Sequence, residues 1–296
     1  MARLDVRKTY KLYIGGAFPR SESGRTYEVR SASGAFLANA AAASRKDARD
    51  AVSAALTAQP KWAAATAYNR GQVLYRVAEM LEGRRDQFVA EVADAEDLAP
   101  DAAATVVDAA IDRWVWYAGW SDKIAQVGGN ANPVAGPYFN LSVPEPTGVV
   151  GVVAPQASSL LGLVSVVAPV VVSGNTCVVL ASQERPLPAI TLSEVLATSD
   201  VPGGVVNVLT GSTAEVGPWL ASHEAVRGLD LAGATALDWG ALEAAAAPTL
   251  TRVVRPAGDR PSTEPADEPN WTLPPPGAAR ILAFTETKTV WHPKGR

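Results

Sequence analysis

A chain of 296 residues, 48% of them hydrophobic, is long enough for one large domain or two ordinary ones and can fill a sizeable core. A formal net charge of -4 with no cluster of Lys and Arg excludes a phosphate-seeking surface, so neither nucleic acid nor anionic lipid is an expected partner. A single cysteine, Cys177, excludes an internal disulfide, and the N-terminus MARLDVRKTY lacks the apolar stretch of a secretory leader, so a cytoplasmic protein is expected.

In chain order, residues 1 to about 40 read as an extended arm in which Tyr13, Ile14, Gly15 and Gly16 make a strand and turn. Ser44 followed three positions later by Asp47 predicts a capping box, with Ala48, Val52, Ala55 and Leu56 on one helical face behind it. A second helix places Val73, Leu74, Val77 and Leu81 together. A third runs from about Asp101 to Lys123 with Val107, Ile111, Trp114 and Ala118 inward. Trp114, Trp116 and Trp120 at helical spacing belong to core or interface rather than to a ligand cage. Residues 1–121 thus form an arm and a helical part.

Between Glu145 and Glu184 no residue is charged, which raises the question of a membrane span. Pro155, Pro169 and the Gly174–Asn175 turn divide this run into short β-branched strands around one helix, the pattern of a buried parallel sheet, and no membrane is expected. Over 147–254, apolar strands at Gly148–Val153, Thr176–Leu180, Val205–Leu209 and Arg227–Leu231 alternate with helical stretches such as Leu187–Thr198. This predicts an α/β fold with right-handed crossovers. Residues 255–279 are crowded with Pro256, Pro261, Pro265, Pro269, Pro274, Pro275 and Pro276 and read as an irregular or mobile linker, with Trp271 placed to pin it to a groove. Residues 280–296 end the chain with a β-prone strand, Arg280–Trp291, that needs a sheet edge.

Little of this sequence carries chemistry. His223 and His292 are the only histidines, so no metal-ligand spacing exists, and Cys177 sits inside a predicted core strand where a thiol is a small buried group. The turns Thr210–Gly211–Ser212–Thr213 and Leu231–Ala232–Gly233–Ala234–Thr235 each follow a strand and are read as starting a helix, which offers amides to a phosphate. Neither matches a dinucleotide fingerprint or a P-loop.

Several segments in order resemble the NAD(P)-dependent aldehyde dehydrogenase superfamily. They are Tyr13–Gly16, Glu145–Pro146–Thr147–Gly148–Val149–Val150–Gly151, Gly174–Asn175–Thr176, Pro202–Gly203–Gly204–Val205–Val206–Asn207–Val208, Ala214–Glu215–Val216–Gly217 and Lys288–Thr289–Val290–Trp291. The resemblance implies a Rossmann-like parallel sheet with flanking helices. It also implies an oligomerisation hairpin, about Asp122–Pro146, and a C-terminal strand that reaches a neighbouring subunit. Phe139, Leu141, Ile281, Phe284, Lys288, Val290 and Trp291 would make that interface. It further implies a cysteine thiolate nucleophile, an asparagine and a backbone amide for the oxyanion, a glutamate base and NAD(P) as hydride acceptor.

The sequence departs from that pattern where chemistry would sit. Pro155–Gln156–Ala157 stands where the family has Pro-Trp-Asn, and the loss of one oxyanion donor costs about 10²–10³-fold in rate. Ala181–Ser182–Gln183–Glu184 keeps the ribose carboxylate but loses the lysine, Leu231–Ala232–Gly233–Ala234 keeps only the glycine, and Arg252–Val253–Val254–Arg255 lacks the glutamate base. The Pro-rich segment replaces the domain that carries the nucleophile. The expectation is therefore a pseudoenzyme that supports a catalytically complete aldehyde dehydrogenase in a hetero-oligomer, with no catalytic residue and no metal. NAD(P) is not required, and any residual hold on it rests on Glu184, Gly211 and Gly233. The alternatives are a dinucleotide-sensing module without turnover and a weak NAD(P)-dependent oxidoreductase.

Overall fold

The computed structural model describes residues 8–258, 261–265, 267–275 and 277–295. Residues 1–7 of the arm, Asp259, Arg260, Ala266 and Pro276 of the Pro-rich stretch, and Arg296 of the tail lie outside the described residues. The arm is anchored on the sheet: Tyr13 and Val208 exchange backbone hydrogen bonds of 2.9 and 2.7 Å, and Gly15 N donates to Asn207 Oδ1 at 2.9 Å. Beyond it a hairpin forms where only an extended arm was expected, β1 (Thr26–Arg30) antiparallel to β2 (Phe36–Ala41).

Four helices follow, α1 (Arg45–Ala64), α2 (Ala67–Glu82), α3 (Arg85–Glu96) and α4 (Pro100–Ala118). The capping box at α1 is present, with Ser44 N donating to Asp47 Oδ2 at 2.8 Å and Asp47 N to Ser44 Oγ at 3.3 Å. Helix α3, absent from the sequence reading, buries only Phe88, Val92 and Ala95, too few apolar positions to announce a period. Helix α4 stops short of the expected Lys123 because the chain turns at Gly119, whose N–H caps Val115 O.

The short helix α5 (Ile124–Gly128) leads into β3 (Asn130–Asn132) and β4 (Tyr138–Pro146). The central unit then runs β5 (Val149–Val153), α6 (Leu161–Val172), β6 (Thr176–Leu180), α7 (Leu187–Ala197), β7 (Val206–Leu209), α8 (Thr213–Ala221), β8 (Val226–Asp230), α9 (Trp239–Ala246) and β9 (Arg252–Val254). Its five strands are all parallel, in the order β7-β6-β5-β8-β9. Alternation along each strand divides the core in two. Val150, Val152, Cys177 and Val179 face α4 and α6, while Val149, Val153, Val178 and Leu180 face α1, α8 and α9. The uncharged run is thus the sheet centre, and no described helix is long and apolar enough to cross a membrane.

The tail corrects one expectation. A short helix, α10 (Ala279–Leu282), precedes β10 (Thr285–Pro293), and β10 pairs antiparallel with this chain's own β4 from Thr285↔Pro146 to Pro293↔Tyr138, in the order β10-β4-β3. Ile281 and Phe284, expected to face a neighbouring subunit, are each only 1% exposed and lie in the chain's own core. The reason is steric. Gly228 of β8 has no side chain, and a Cβ there would lie 2.5 Å from the Phe284 ring, so the strand leaves a socket that the ring fills.

Candidate functional site

In this strand order β6 and β7 lie on one side of β5, while β8 and β9 lie on the other, which makes β5 the switch point of the sheet. Open α/β sheets hold ligands in the crevice beyond the C-terminal ends of their strands at that point. Three loops border it here, Ala154–Leu160 after β5, Ala181–Pro186 after β6 and the turn Leu231–Thr235 after β8.

The loops after β5 and β6 are stitched together. Gln156 Nε2 donates to Ala154 O at 2.7 Å, Gln183 N donates to Gln156 Oε1 at 2.9 Å, Ser182 Oγ donates to Gln156 O at 2.8 Å, and Arg185 donates to Ala157 O. On the other side, Gly233 N donates to Val153 O at 2.9 Å, and a Cβ on Gly233 would lie 1.8 Å from Ala154 O. Only glycine allows that approach, so Gly233 is buried as a backbone crossing. The Leu231–Thr235 turn does not itself start a helix, contrary to the sequence reading. Helix α9 begins at Trp239, and Asp238 Oδ1 caps it by accepting from Gly240 and Ala241 N at 3.1 and 3.2 Å.

Amides at the mouth of the crevice are taken by carboxylates of the chain itself. Glu96 Oε1 accepts from Ser159 N and Oγ at 2.6 and 2.7 Å. Glu268, from the Pro-rich stretch, accepts from Gln156 N and, at 2.9 Å, from Ala157 N. Buried Asp230, at the end of β8, is paired with Arg280. With these contacts in place the residues present do not fit a dinucleotide at the switch point.

The other candidate residues lie apart. Glu184 is exposed and, with Tyr27, Arg30 and Arg185, lines a cavity of about 360 Å³ under the β1–β2 hairpin. Gly211 lies in a turn pinned to the end of β2, where Thr210 Oγ1 donates to Ala41 O at 2.6 Å and Ala43 N donates to Thr210 O at 2.8 Å. The α8 amides behind it are capped internally, with Glu215 N donating to Ser212 Oγ at 3.2 Å. Glu184 and Gly211 therefore share one side of β5, and Gly233 lies on the other. Cys177 is buried in the sheet centre, and desolvation pushes its thiol up to about 12. Among the described residues no group of His, Cys, Asp and Glu could hold a metal.

Of the expected interface residues, Phe139, Leu141, Val290 and Trp291 are exposed on the β4–β10 sheet, Trp291 to 58%. Lys288 pairs across the strands with Glu145 at 2.9 Å. Sequence reasoning missed Glu268 and Arg113, the buried cation of α4 whose Nη2 donates to Trp271 O at 2.9 Å and Leu273 O at 3.0 Å. An acid three residues before the lone tryptophan of a Pro-rich stretch was the one available signal.

Comparison with known proteins places this arrangement. The aldehyde dehydrogenase family profile matches residues 18–258. Human cytosolic 10-formyltetrahydrofolate dehydrogenase is 34% identical over 238 residues, which are 78% of this chain and 26% of that protein. The Bacillus subtilis (strain 168) protein named "Putative aldehyde dehydrogenase DhaS" is 30% identical over 286 residues, 95% of this chain and 57% of that one. The Bacillus cereus aldehyde dehydrogenase, solved as an NAD+ complex, superposes with a TM-score of 0.77 at 25% identity, over 83% of this chain and 50% of that one. This chain thus spans about a quarter to just over half the length of these proteins. The sheet order, the profile match across most of the chain and the relatives agree: the chain belongs to the aldehyde dehydrogenase family.

Proposed function

We propose that this chain is a non-catalytic, aldehyde dehydrogenase-like subunit that assembles with a catalytically complete relative and supports it. One observation carries the reading. The only cysteine of the chain is an inward-facing residue of a central strand, with its thiol held well above neutrality, so no thiolate is available to attack an aldehyde.

The pattern of retention supports it. Asn175 accepts from Gly148 N at 2.7 Å and donates to Phe284 O at 2.8 Å, and Asn207 accepts from Gly15 N and donates to Cys177 O at 3.1 Å and Gly204 O at 2.8 Å. The family motifs kept are those that build the sheet and tie down the tail, and the motifs altered are those at its C-terminal edge. The partner surface in this proposal is the β4–β10 sheet, where Phe139, Leu141, Val290 and Trp291 form an exposed apolar face and β10 offers an outer edge. One relative is named as cytosolic, which supports a cytoplasmic site for the assembly.

The test is co-expression of the tagged chain with a full-length aldehyde dehydrogenase of its host, followed by size-exclusion chromatography and assay. The two are expected to co-elute, and the chain alone to reduce neither NAD nor NADP with aldehydes. Saturable, Cys177-dependent cofactor reduction by the isolated chain overturns the reading.

A further inference from the structure

The Pro-rich segment makes contacts that a linker does not need. Ser262 lies against Gly240 at the start of α9, on one face of the sheet, where a Cβ on the glycine would be 2.6 Å from Ser262 Oγ. The chain then reaches the amides of Gln156 and Ala157 through Glu268. Beyond these it settles on the opposite face, where Trp271 is half-buried against the core beside α4 and α6. Arg113 fastens it there, with Nη1 donating to Ser165 Oγ of α6 at 2.6 Å and Nη2 to the Trp271 and Leu273 carbonyls. The Arg280 guanidinium lies 5.7 Å from the Trp271 ring centroid. The segment thus crosses from face to face over the C-terminal edge at the switch point.

At the crossing the chemistry is specific. Two successive amides after β5 point to one carboxylate, and the other oxygen of that carboxylate accepts from Trp271 Nε1 at 3.3 Å. Charge-assisted bonds of this kind are stronger than neutral ones, and successive amides converging on an anion are a general phosphate and carboxylate cradle.

We propose that the amides of Gln156 and Ala157 form an anion cradle whose resident ligand is Glu268, so that the strap 267–275 and an anionic dinucleotide exclude one another from the crevice. The strap is an internal plug, and it would act as one whether or not the chain has a catalytic partner. Opening requires loss of the Glu268 contact, and a phosphate group from outside then meets the same two amides.

The experiment uses the full chain and the variants Glu268→Ala and Glu268→Gln, with NADH as the probe. Amide hydrogen exchange reads the cradle directly. Exchange at Gln156 and Ala157 is expected to rise at least tenfold in Glu268→Ala and less in Glu268→Gln, which keeps an acceptor oxygen. NADH titrations are expected to show at least tenfold tighter binding to Glu268→Ala than to the wild type. Unchanged exchange at the two amides in both variants overturns the cradle. Faster exchange with equal NADH affinity in wild type and variants overturns the mutual exclusion. Neither outcome depends on co-elution with a partner, so failure of this proposal is distinguishable from failure of the subunit reading.

Discussion

Two side chains set expectations at the scale of the residue. Cys177 faces the core between Val150 and the α4–α6 layer, so Cys177→Ser buries a hydroxyl where the thiol had packed, at a cost of about 1–3 kcal/mol. Urea unfolding checks that loss, and the aldehyde oxidation of a co-purified complex is expected to stay unchanged. A fall in turnover without a fall in stability would return the thiol to the chemistry. Glu91 of α3 presents the opposite case. Burial holds its carboxyl above the usual range, and Oε1 accepts from Tyr10, Gln87 and Thr191 while Oε2 is buried with no hydrogen-bond partner among the described residues. Lys8 pulls the carboxyl down, and Glu194, paired with Lys8 and Arg84, pushes it up. A folded state that holds the proton more tightly than the unfolded one gains stability that is full below the ordinary value of about 4.3 and is lost as pH rises through the higher folded value. Glu91→Gln is therefore expected to flatten the fall in melting temperature from about pH 4.3 towards neutrality, and parallel profiles for variant and wild type would count against it. The core position of Cys177 was legible from its strand. Glu91 was not, because nothing in a helical period tells which carboxylate the arm will cover.

Among elements, the central strands were legible to within a residue or so, since β-branched runs between Gly and Pro punctuation have few alternatives. Other elements were not. The β1–β2 hairpin alternates weakly, α3 has a thin apolar stripe, and β9 is only three residues long. The tail was legible as a strand but not as a helix followed by a strand, because what selects α10 is the socket over Gly228 and the charge of Asp230, both far away in sequence. Asp230 is 1% exposed, and Arg280 of α10 is its ion-pair partner. A buried carboxylate stripped of its cation is strongly destabilising, so Arg280→Ala is expected to cost about 3–5 kcal/mol in urea unfolding. The double variant Arg280→Leu with Asp230→Leu should recover most of that loss, because an apolar pair leaves no buried charge behind. A single variant within 1 kcal/mol of wild type (about a fivefold change in the folding constant) would mean that water reaches Asp230.

Across the whole molecule, a strap closes the edge of the sheet, and the tail is split within a few residues between the core and the outer sheet. Ile281 and Phe284 belong to the core, whereas Val290 and Trp291 stand on the outer sheet. The family resemblance assigned all four to an interface, and a strand read in isolation shows which residues are apolar but not which sheet they meet. The structure separates the two roles at Thr285, and truncation can test the separation. Deleting 280–296 removes Phe284 from its socket, and loss of a buried aromatic costs about 3–5 kcal/mol. It also strips Asp230 of Arg280. That chain is expected to lose its cooperative unfolding transition and to aggregate. Deleting only 285–296 leaves the core intact and uncovers β4, whose Phe139, Leu141 and Val143 are already exposed. Its urea transition is expected to persist, while co-elution with a full-length aldehyde dehydrogenase is lost together with the outer edge of β10. If the shorter truncation still co-elutes at the original ratio, the edge of β10 is not the anchor, and the apolar face of β4 becomes the surface through which a partner must bind.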